Sequence, residues 1–228
     1  MTPDAATALP ARYAGRDTLA LQWRDGVLVI GLNRPAKRNA IGVETTLALA
    51  DTLRAAMLDD ALRAIVFHGV GAHFCAGMDM KDFFDHTDRG AGELRRARAA
   101  TDEWRARLLR RVGCPVISAV QGYCLGGALP ILACSDVVLA APDAVFGMPE
   151  INFGFVPGGP IAKSLRAALP ARAASYAALT GRSFDARQAW RWGLVSRLVQ
   201  GDVLAEALAL AATVARGADI SSFCREET

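Results

Sequence analysis

The chain has 228 residues, enough to bury one sizeable hydrophobic core, so one domain is the expectation. Hydrophobic residues make up 52% of the chain and charged residues 21%, a balance that excludes wholesale disorder. The formal net charge of +3 is too small to indicate a nucleic-acid partner. No apolar run reaches the roughly 18 to 20 residues that span a bilayer, so we expect no membrane partner either.

The N-terminus and the cysteines indicate how the chain is processed and in which compartment it is located. The N-terminus carries acidic residues and lacks a long apolar segment, so residues 1–16 are interpreted as a loose leader rather than a signal peptide. Five cysteines, an odd number without Cys-x-x-Cys spacing, argue against disulfides and zinc and predict a reducing, cytoplasmic location. Cys124 lies beside a glycine-rich turn, but no histidine is near it in sequence, so packing is favoured over nucleophilic chemistry.

The first part of the chain alternates between β-type runs and helical periodicity. Two short strands joined by an Asp-Gly turn are predicted at 19–23 and 27–32. Apolar residues at helical spacing predict a helix over 43–58, and an apolar run predicts a buried strand over 64–68. A loop that enters a helix is expected over 69–84.

An arginine-rich helix comes next and ends at Gly113. Its apolar residues, Leu94, Trp104, Leu108 and Leu109, are predicted to face the core, which leaves the arginines on a solvated face. A surface that attracts a polyanionic cofactor tail is the alternative interpretation. The arginines concerned are Arg89, Arg95, Arg96, Arg98, Arg105, Arg107, Arg110 and Arg111.

The second half of the chain begins with a predicted strand over 116–120, a glycine-rich turn, a helix over about 126–134 and a strand over 137–140. Strand–helix alternation followed by helices predicts an α/β fold with a helical C-terminal part. The predicted C-terminal helices cover 162–169, 171–179, 186–192 and 203–216.

Two features of this second half are candidates for chemistry. The turn around Gly126 and Gly127 opens directly into an apolar helix, and unpaired N–H groups at a helix start favour negative charge. Glycines also let a ligand oxygen approach the backbone closely. Glu150 lies in an apolar frame that raises the pKa of a carboxyl and so suits proton transfer near neutral pH. The sequence predicts an oxyanion-stabilising turn and one proton-transferring carboxylate.

Five segments, in this order, resemble the crotonase superfamily, the enoyl-CoA hydratase/isomerase family. They are LNRPAKRNA (32–40), HFCAGMDMKDF (73–83), VQGYCLGGA (120–128), ACSDVVLAAPDAVFGMPEINFGFVPGG (133–159) and LTGRSFDARQAWRWGLVSRLV (179–199). The resemblance implies a crotonase-like β-β-α spiral with a helical C-terminal part, here a core domain over 17–200 and a short helical segment over 201–228. It also implies trimers or dimers of trimers. The implied ligand is an acyl-CoA thioester, with no metal and no cofactor beyond coenzyme A as part of the substrate.

The resemblance also implies roles for individual residues. The thioester oxygen would be held by the backbone N–H groups of Met78 and Gly127, and Glu150 would be the catalytic acid/base. Coenzyme A would be held near Lys37, Ala40, Ala76, Met80 and Lys81. The acyl pocket, which needs apolar walls, would be lined by Phe83, Phe84, Pro130 and Phe153.

One position departs from the hydratases of that family. Their first glutamate lies three residues after the oxyanion glycine, where this chain has Pro130, which has no titratable group. Water addition by two carboxylates is therefore disfavoured. A single-glutamate isomerase, a hydratase-lyase acting on aromatic enoyl-CoA and a catalytically weak CoA-ester-binding member all stay open. Asp79 is interpreted as a helix N-cap and the histidines as packing residues.

Overall fold

A computed structural model of the protein describes residues 8–13, 17–84, 90–155 and 159–216. Its strands are β1 (Leu19–Arg24), β2 (Val27–Leu32), β3 (Ala64–Gly69), β4 (Val116–Val120), β5 (Tyr123–Leu125), β6 (Val137–Ala140), β7 (Val145–Gly147), β8 (Phe184–Asp185) and β9 (Arg197–Leu198). Its α-helices are α1 (Val43–Ala56), α2 (Met80–Phe84), α3 (Ala91–Glu103), α4 (Leu129–Ala133), α5 (Gly159–Ala168), α6 (Ala171–Thr180), α7 (Ala186–Arg191) and α8 (Val203–Ala215).

The strands form two sheets. The larger has the order β1-β2-β3-β4-β6-β9, antiparallel between β1 and β2 and parallel elsewhere. The smaller has the order β5-β7-β8. Parallel strands inside a sheet are covered on both faces and therefore have largely apolar sequences. Every residue of β2 and β4 is buried, including Ser118 of β4, whose hydroxyl forms a hydrogen bond with that of Ser135.

Alternate residues of the large sheet face two separate parts of the core. Val29 and Val66 pack with one face of α8, whereas Ile30 and Phe67 face the main core, which also contains residues of α1 and α4. In α8, Val203, Ala207 and Ala211 are at most 2% exposed. The helix starts where the side chain of Asp202 accepts the backbone N–H groups of Leu204 and Ala205.

The predicted α/β class is confirmed, and most long elements lie close to their predicted positions. The arginine-rich helix, predicted to end at Gly113, ends at Glu103 and continues as a π-helical turn to Leu108. Helix α1 ends at Ala56 instead of 58, and Leu58 is 82% exposed. The predicted helix over 126–134 opens with a 3₁₀ turn over Gly126–Ala128 before α4. The strands β5, β7, β8 and β9 have only two or three residues, too few for alternation to be recognised in a sequence.

The segment predicted as a loose leader contains a packed piece over residues 8–13. Tyr13 is 1% exposed, its ring stacks on Trp23 at 5.8 Å, and its hydroxyl donates to Asp59 at 2.8 Å. Arg12 forms a salt bridge with the same carboxylate. Residues 1–7 and 14–16, like the predicted C-terminal segment beyond 216, lie outside the described residues.

Within the described ranges, none of the helices has the length and apolar character needed to cross a bilayer.

Candidate active site

Two loops that are far apart in sequence meet beside β5. The backbone N–H of Cys75 donates to Tyr123 at 2.8 Å, and that of Leu125 donates to Cys75 at 3.0 Å, which aligns residues 75–77 with the glycine turn. Gly77 has a φ of +97°, and a Cβ there would lie 2.9 Å from the Leu125 oxygen. Glycine is therefore required for this close approach, which brings the Met78 segment beside Gly127.

The backbone N–H of Met78 is turned toward this junction. The carbonyl of Gly77 accepts a hydrogen bond from Ile41 at 2.8 Å, and Asp79 donates to Ile41 at 2.9 Å. Because a trans peptide points its C=O and N–H in opposite directions, the N–H of Met78 points away from Ile41. Among the described residues, this N–H has no hydrogen-bond partner.

The N–H of Gly127 lies at the start of the helical segment that leads into α4. The carbonyl of Gly126 accepts the N–H of Leu129, so the other end of that peptide, the N–H of Gly127, points back out of the helix start. It too lacks a hydrogen-bond partner within the described ranges. Two unpaired N–H groups from neighbouring segments are suited to binding one oxygen that carries negative charge.

Glu150 lies across the same turn. It belongs to a 3₁₀ segment over Pro149–Phe153 that directly follows β7, the strand beside β5. A Cβ on Gly126, whose φ is +50°, would lie 2.5 Å from Oε1 of Glu150, so the carboxylate is packed against the glycine backbone. Its Oε2 is buried and has no partner among the described residues. Burial raises the pKa of Glu150, and its own backbone N–H and Arg105 oppose that shift.

Met78, Gly127 and Glu150 line one cavity of about 510 Å³. Met80, Phe83, Phe153 and Phe155 contribute apolar side chains to its wall. A second wall comes from the arginine-rich helix, where Arg98, Thr101, Asp102 and Arg105 follow one another at helical spacing on one face. An apolar cavity with a few convergent polar groups is the usual form of a small-molecule site.

The buried position of Arg105 differs from the sequence prediction. Leu94, Trp104, Leu108 and Leu109 face the core as predicted, but Arg105 is only 5% exposed and is not part of the solvated face. The physical reason is a set of contacts between remote segments: the Arg105 side chain lies in the π-helical turn over Trp104–Leu108 and donates to the carbonyl of Gly127. In the sequence, the helical spacing of Arg98, Thr101 and Arg105 could have indicated that these three residues share one face of the helix. Of the other arginines, Arg89 lies outside the described residues.

Comparison with known proteins decides the family. The model of the enoyl-CoA hydratase/isomerase family matches residues 22–226 of the chain. The chain belongs to this family. The hydroxycinnamoyl-CoA hydratase-lyase of Pseudomonas fluorescens is 35% identical over 190 residues, which cover 82% of this chain and 68% of that protein. The mevalonyl-coenzyme A hydratase of Aspergillus fumigatus is 38% identical over 193 residues, covering 83% and 69%.

Solved structures agree with the family assignment. The crystal structure of an enoyl-CoA hydratase/isomerase from Mycobacterium paratuberculosis superposes with a TM-score of 0.85 at 25% identity, covering 93% of this chain and 85% of that one. That of an enoyl-CoA hydratase/isomerase from Marinobacter aquaeolei has a TM-score of 0.82 at 29% identity, covering 92% and 82%. The predicted crotonase superfamily and fold are confirmed, and the protein is an enzyme of the hydratase/isomerase family.

Of the residues expected to hold coenzyme A, two line the cavity, whereas Lys37, Ala40 and Lys81 are not part of its lining. Ala76 and Met80 line the cavity, and the N–H of Ala76 donates to the Arg38 oxygen at 2.9 Å, which joins it to the loop containing Lys37 and Ala40. The carbonyl of Ala40 accepts a hydrogen bond from the Arg34 side chain at 2.7 Å. The side chains of Lys37 and of Lys81, on α2, are exposed.

The residues expected in the acyl pocket divide into three groups. Phe83 and Phe153 both line the cavity, but Phe83 is 4% exposed and Phe153 65%. The side chain of Phe84 lies outside the described residues. Pro130 does not line this cavity, contrary to the prediction, because it is buried within α4, which packs against α5.

The remaining candidates have structural roles. The thiols of Cys75 and Cys124 are fully buried, which raises the pKa of Cys75 to about 12 and that of Cys124 well above its usual value. His73 stacks on Tyr123 at 4.7 Å. Asp79 accepts the N–H of Asp82 at 3.3 Å in the first turn of α2, as expected of an N-cap. The described residues contain no cluster of three or more side chains of metal-binding type.

Proposed function

We propose that the protein acts on acyl-CoA thioesters, with the N–H groups of Met78 and Gly127 holding the thioester oxygen and Glu150 moving a proton beside it. The observation that carries this proposal is the meeting, in one cavity, of two unpaired N–H groups and a carboxylate oxygen without a partner among the described residues. The family assignment supports the acyl-CoA substrate class.

The proposed mechanism is proton transfer through a thioester enolate. Removal of a proton from the carbon next to the thioester moves negative charge onto its oxygen, where two fixed N–H donors stabilise it. Loss of one such donor typically costs about 10²–10³ in rate. Burial raises the pKa of Glu150 toward neutrality, which suits a group that first accepts a proton and then returns it.

The carboxylates that line the cavity favour isomerisation over hydration. Pro130 replaces the first glutamate of the hydratases. Among the described residues the other carboxylate that lines the cavity is Asp102, which is exposed on α3. Glu150 alone can remove a proton at one carbon and deliver it to another, which shifts a double bond. A second candidate is hydratase-lyase chemistry on an aromatic enoyl-CoA, favoured by Phe83, Phe153 and Phe155 in the wall.

Deuterium exchange tests the proposal directly. An enoyl-CoA is incubated in D₂O with wild-type protein or with Glu150→Gln, and label at the α and γ carbons is followed by mass spectrometry. We expect exchange with wild type and a loss of at least about 10²-fold in the variant. Exchange that survives in Glu150→Gln would remove this residue as the base. No exchange with the wild-type protein would favour a CoA-ester-binding protein without turnover.

A substrate panel separates the two reactions. Short-chain, medium-chain and aromatic enoyl-CoAs are compared by the loss of the conjugated thioester absorbance and by product analysis. A shifted double bond indicates isomerase chemistry, whereas an aromatic aldehyde together with acetyl-CoA indicates hydratase-lyase chemistry.

The assembly state is also a proposal. Large side chains are exposed on α6 and α7, among them Tyr176 (50%), Leu179 (75%) and Trp190 (51%), and buried subunit contacts would cover such groups. Light scattering after size exclusion tests the homotrimer or dimer of trimers that the resemblance implies.

A further inference from the structure

Arg105 is a buried cation that forms no salt bridge within the described part of the chain. It is 5% exposed, no carboxylate of the described residues forms a salt bridge with it, and its Nε has no hydrogen-bond partner there. Burial lowers the pKa of Arg105 to about 10, so the side chain keeps its charge at neutral pH. A buried charge that no salt bridge holds is unfavourable for stability. A purely structural role therefore explains this residue poorly.

The guanidinium connects the two halves of the proposed oxyanion site. Its Nη2 donates to the carbonyl of Gly127 at 2.8 Å and lies 2.7 Å from the sulfur of Met78. A Cβ on Gly127 would lie 2.6 Å from the same nitrogen, so a larger residue here would displace the guanidinium. The ring of Trp104, 4.9 Å from the guanidinium carbon, holds it from another side. One side chain thus contacts both residues whose N–H groups are proposed to hold the thioester oxygen.

We propose that Arg105 is a positioning residue for the reaction: it holds the Gly127 turn against Met78 and keeps a positive charge beside the oxyanion and beside Glu150. The inference rests on the proposed function. Arg105 reaches this position from the π-helical turn that starts at Trp104, whose side chain is buried as well. The fixed charge favours the enolate over the neutral thioester, so it acts on the rate of proton transfer more than on binding.

The charges around Glu150 differ in their exposure. Arg98 and Asp102 line the same cavity from α3 but are exposed, so water screens them. Cys75, which lies close to Arg105, has a pKa of about 12 and is neutral at physiological pH. Arg105 is therefore the buried charge that acts on Glu150 among the described groups, and it lowers the pKa that burial raises.

Three variants distinguish a positioning role of Arg105 from a purely structural one. Arg105→Met keeps most of the length and removes the charge, and Arg105→Lys keeps the charge but loses the planar fork. Arg107→Met is the matched control, because Arg107 belongs to the same π-helical turn but is exposed and pairs with Glu103. In the deuterium-exchange assay we expect Arg105→Met to lower kcat at least about tenfold with KM changed less than about threefold. Arg105→Lys should recover part of kcat, and Arg107→Met should match wild type.

A second measurement does not depend on turnover. The pKa of Glu150 is followed by carboxyl ¹³C NMR in the unliganded full chain, with Glu150→Gln identifying the resonance. We expect this pKa to move upward in Arg105→Met and to stay near the wild-type value in Arg105→Lys and Arg107→Met. If Arg105→Met does not fold, kcat is measured in Arg105→Lys instead, and the pKa of Glu150 is measured in Arg105→Gln.

The outcomes are distinguishable from those for the proposed function. An unchanged kcat together with an unchanged pKa of Glu150 in Arg105→Met overturns the inference, and so does a change confined to KM, which would make Arg105 a substrate contact. If wild-type exchange does not require Glu150, the proposed function fails, whatever the NMR titration shows about Arg105.

Discussion

Substitution of Gly126 by alanine tests how closely Glu150 is packed on the glycine turn. Gly126 has a φ of +50°, where an alanine costs about 1–2 kcal/mol. The added Cβ would also lie 2.5 Å from Oε1 of Glu150, closer than real Cβ contacts, so the carboxylate must move. Because the clashing atom is the end of a flexible side chain, the overpacking cost lies at the low end of its usual range, about 1 kcal/mol. We therefore expect Gly126→Ala to lose about 2–3 kcal/mol of unfolding free energy, the sum of both effects.

Gly193→Ala is the matched control for the backbone contribution. Gly193 has a φ of +81° after α7, and a Cβ there meets no atom within 4 Å, so only the cost of the left-handed conformation applies, about 1–2 kcal/mol. Urea unfolding of both variants, and of Gly126→Ala combined with Glu150→Ala, separates the two contributions. The combined variant should recover most of the packing cost, because the side chain that clashes is shortened.

The same variants are measured in the deuterium-exchange assay. A displaced Glu150 should lower exchange in Gly126→Ala by about 10²-fold, since misplacement of about 1 Å has such an effect, whereas Gly193→Ala should keep the wild-type rate. The reasoning fails if Gly126→Ala loses no more stability than Gly193→Ala and retains its exchange rate.

The pH dependence of kcat/KM should rise through the pKa of Glu150, which lies above its ordinary 4.5, and this limb should vanish in Glu150→Gln. Because the folded state retains this proton above the unfolded pKa, the contribution of Glu150 to stability should fall as pH rises from 4.5 through the folded pKa. Urea titrations of wild type and Glu150→Gln between pH 4 and 8 check that sign; parallel curves would contradict it. Tyr13→Phe removes the hydroxyl that donates to the buried Asp59 and should cost about 1 kcal/mol in urea unfolding, whereas Tyr176→Phe, at an exposed site, should cost nothing measurable. Asp202→Ala removes two hydrogen bonds at the start of α8 and should cost about 1 kcal/mol in the same assay; an unchanged midpoint would contradict the cap.

The sequence alone determined the features that depend on neighbouring residues. The apolar runs of β2 and β4 and the helical spacing of α1 and α8 are local patterns, and the structure confirms them. Glu150 in its apolar frame and the glycines at 126 and 127 stood out for the same reason, because residue type and immediate context were enough to suggest chemistry.

Only the tertiary structure decided which distant residues share the cavity. Arg105 follows Trp104 in a run of arginines, and its burial comes with contacts to the Gly127 carbonyl and the Met78 sulfur, both remote in sequence. Pro130 lies three residues after Gly127, yet the direction of α4 turns it into the core and away from the cavity. Local patterns specify the elements, whereas the neighbours of each side chain follow from contacts between segments remote in sequence, and these exist only in the folded chain.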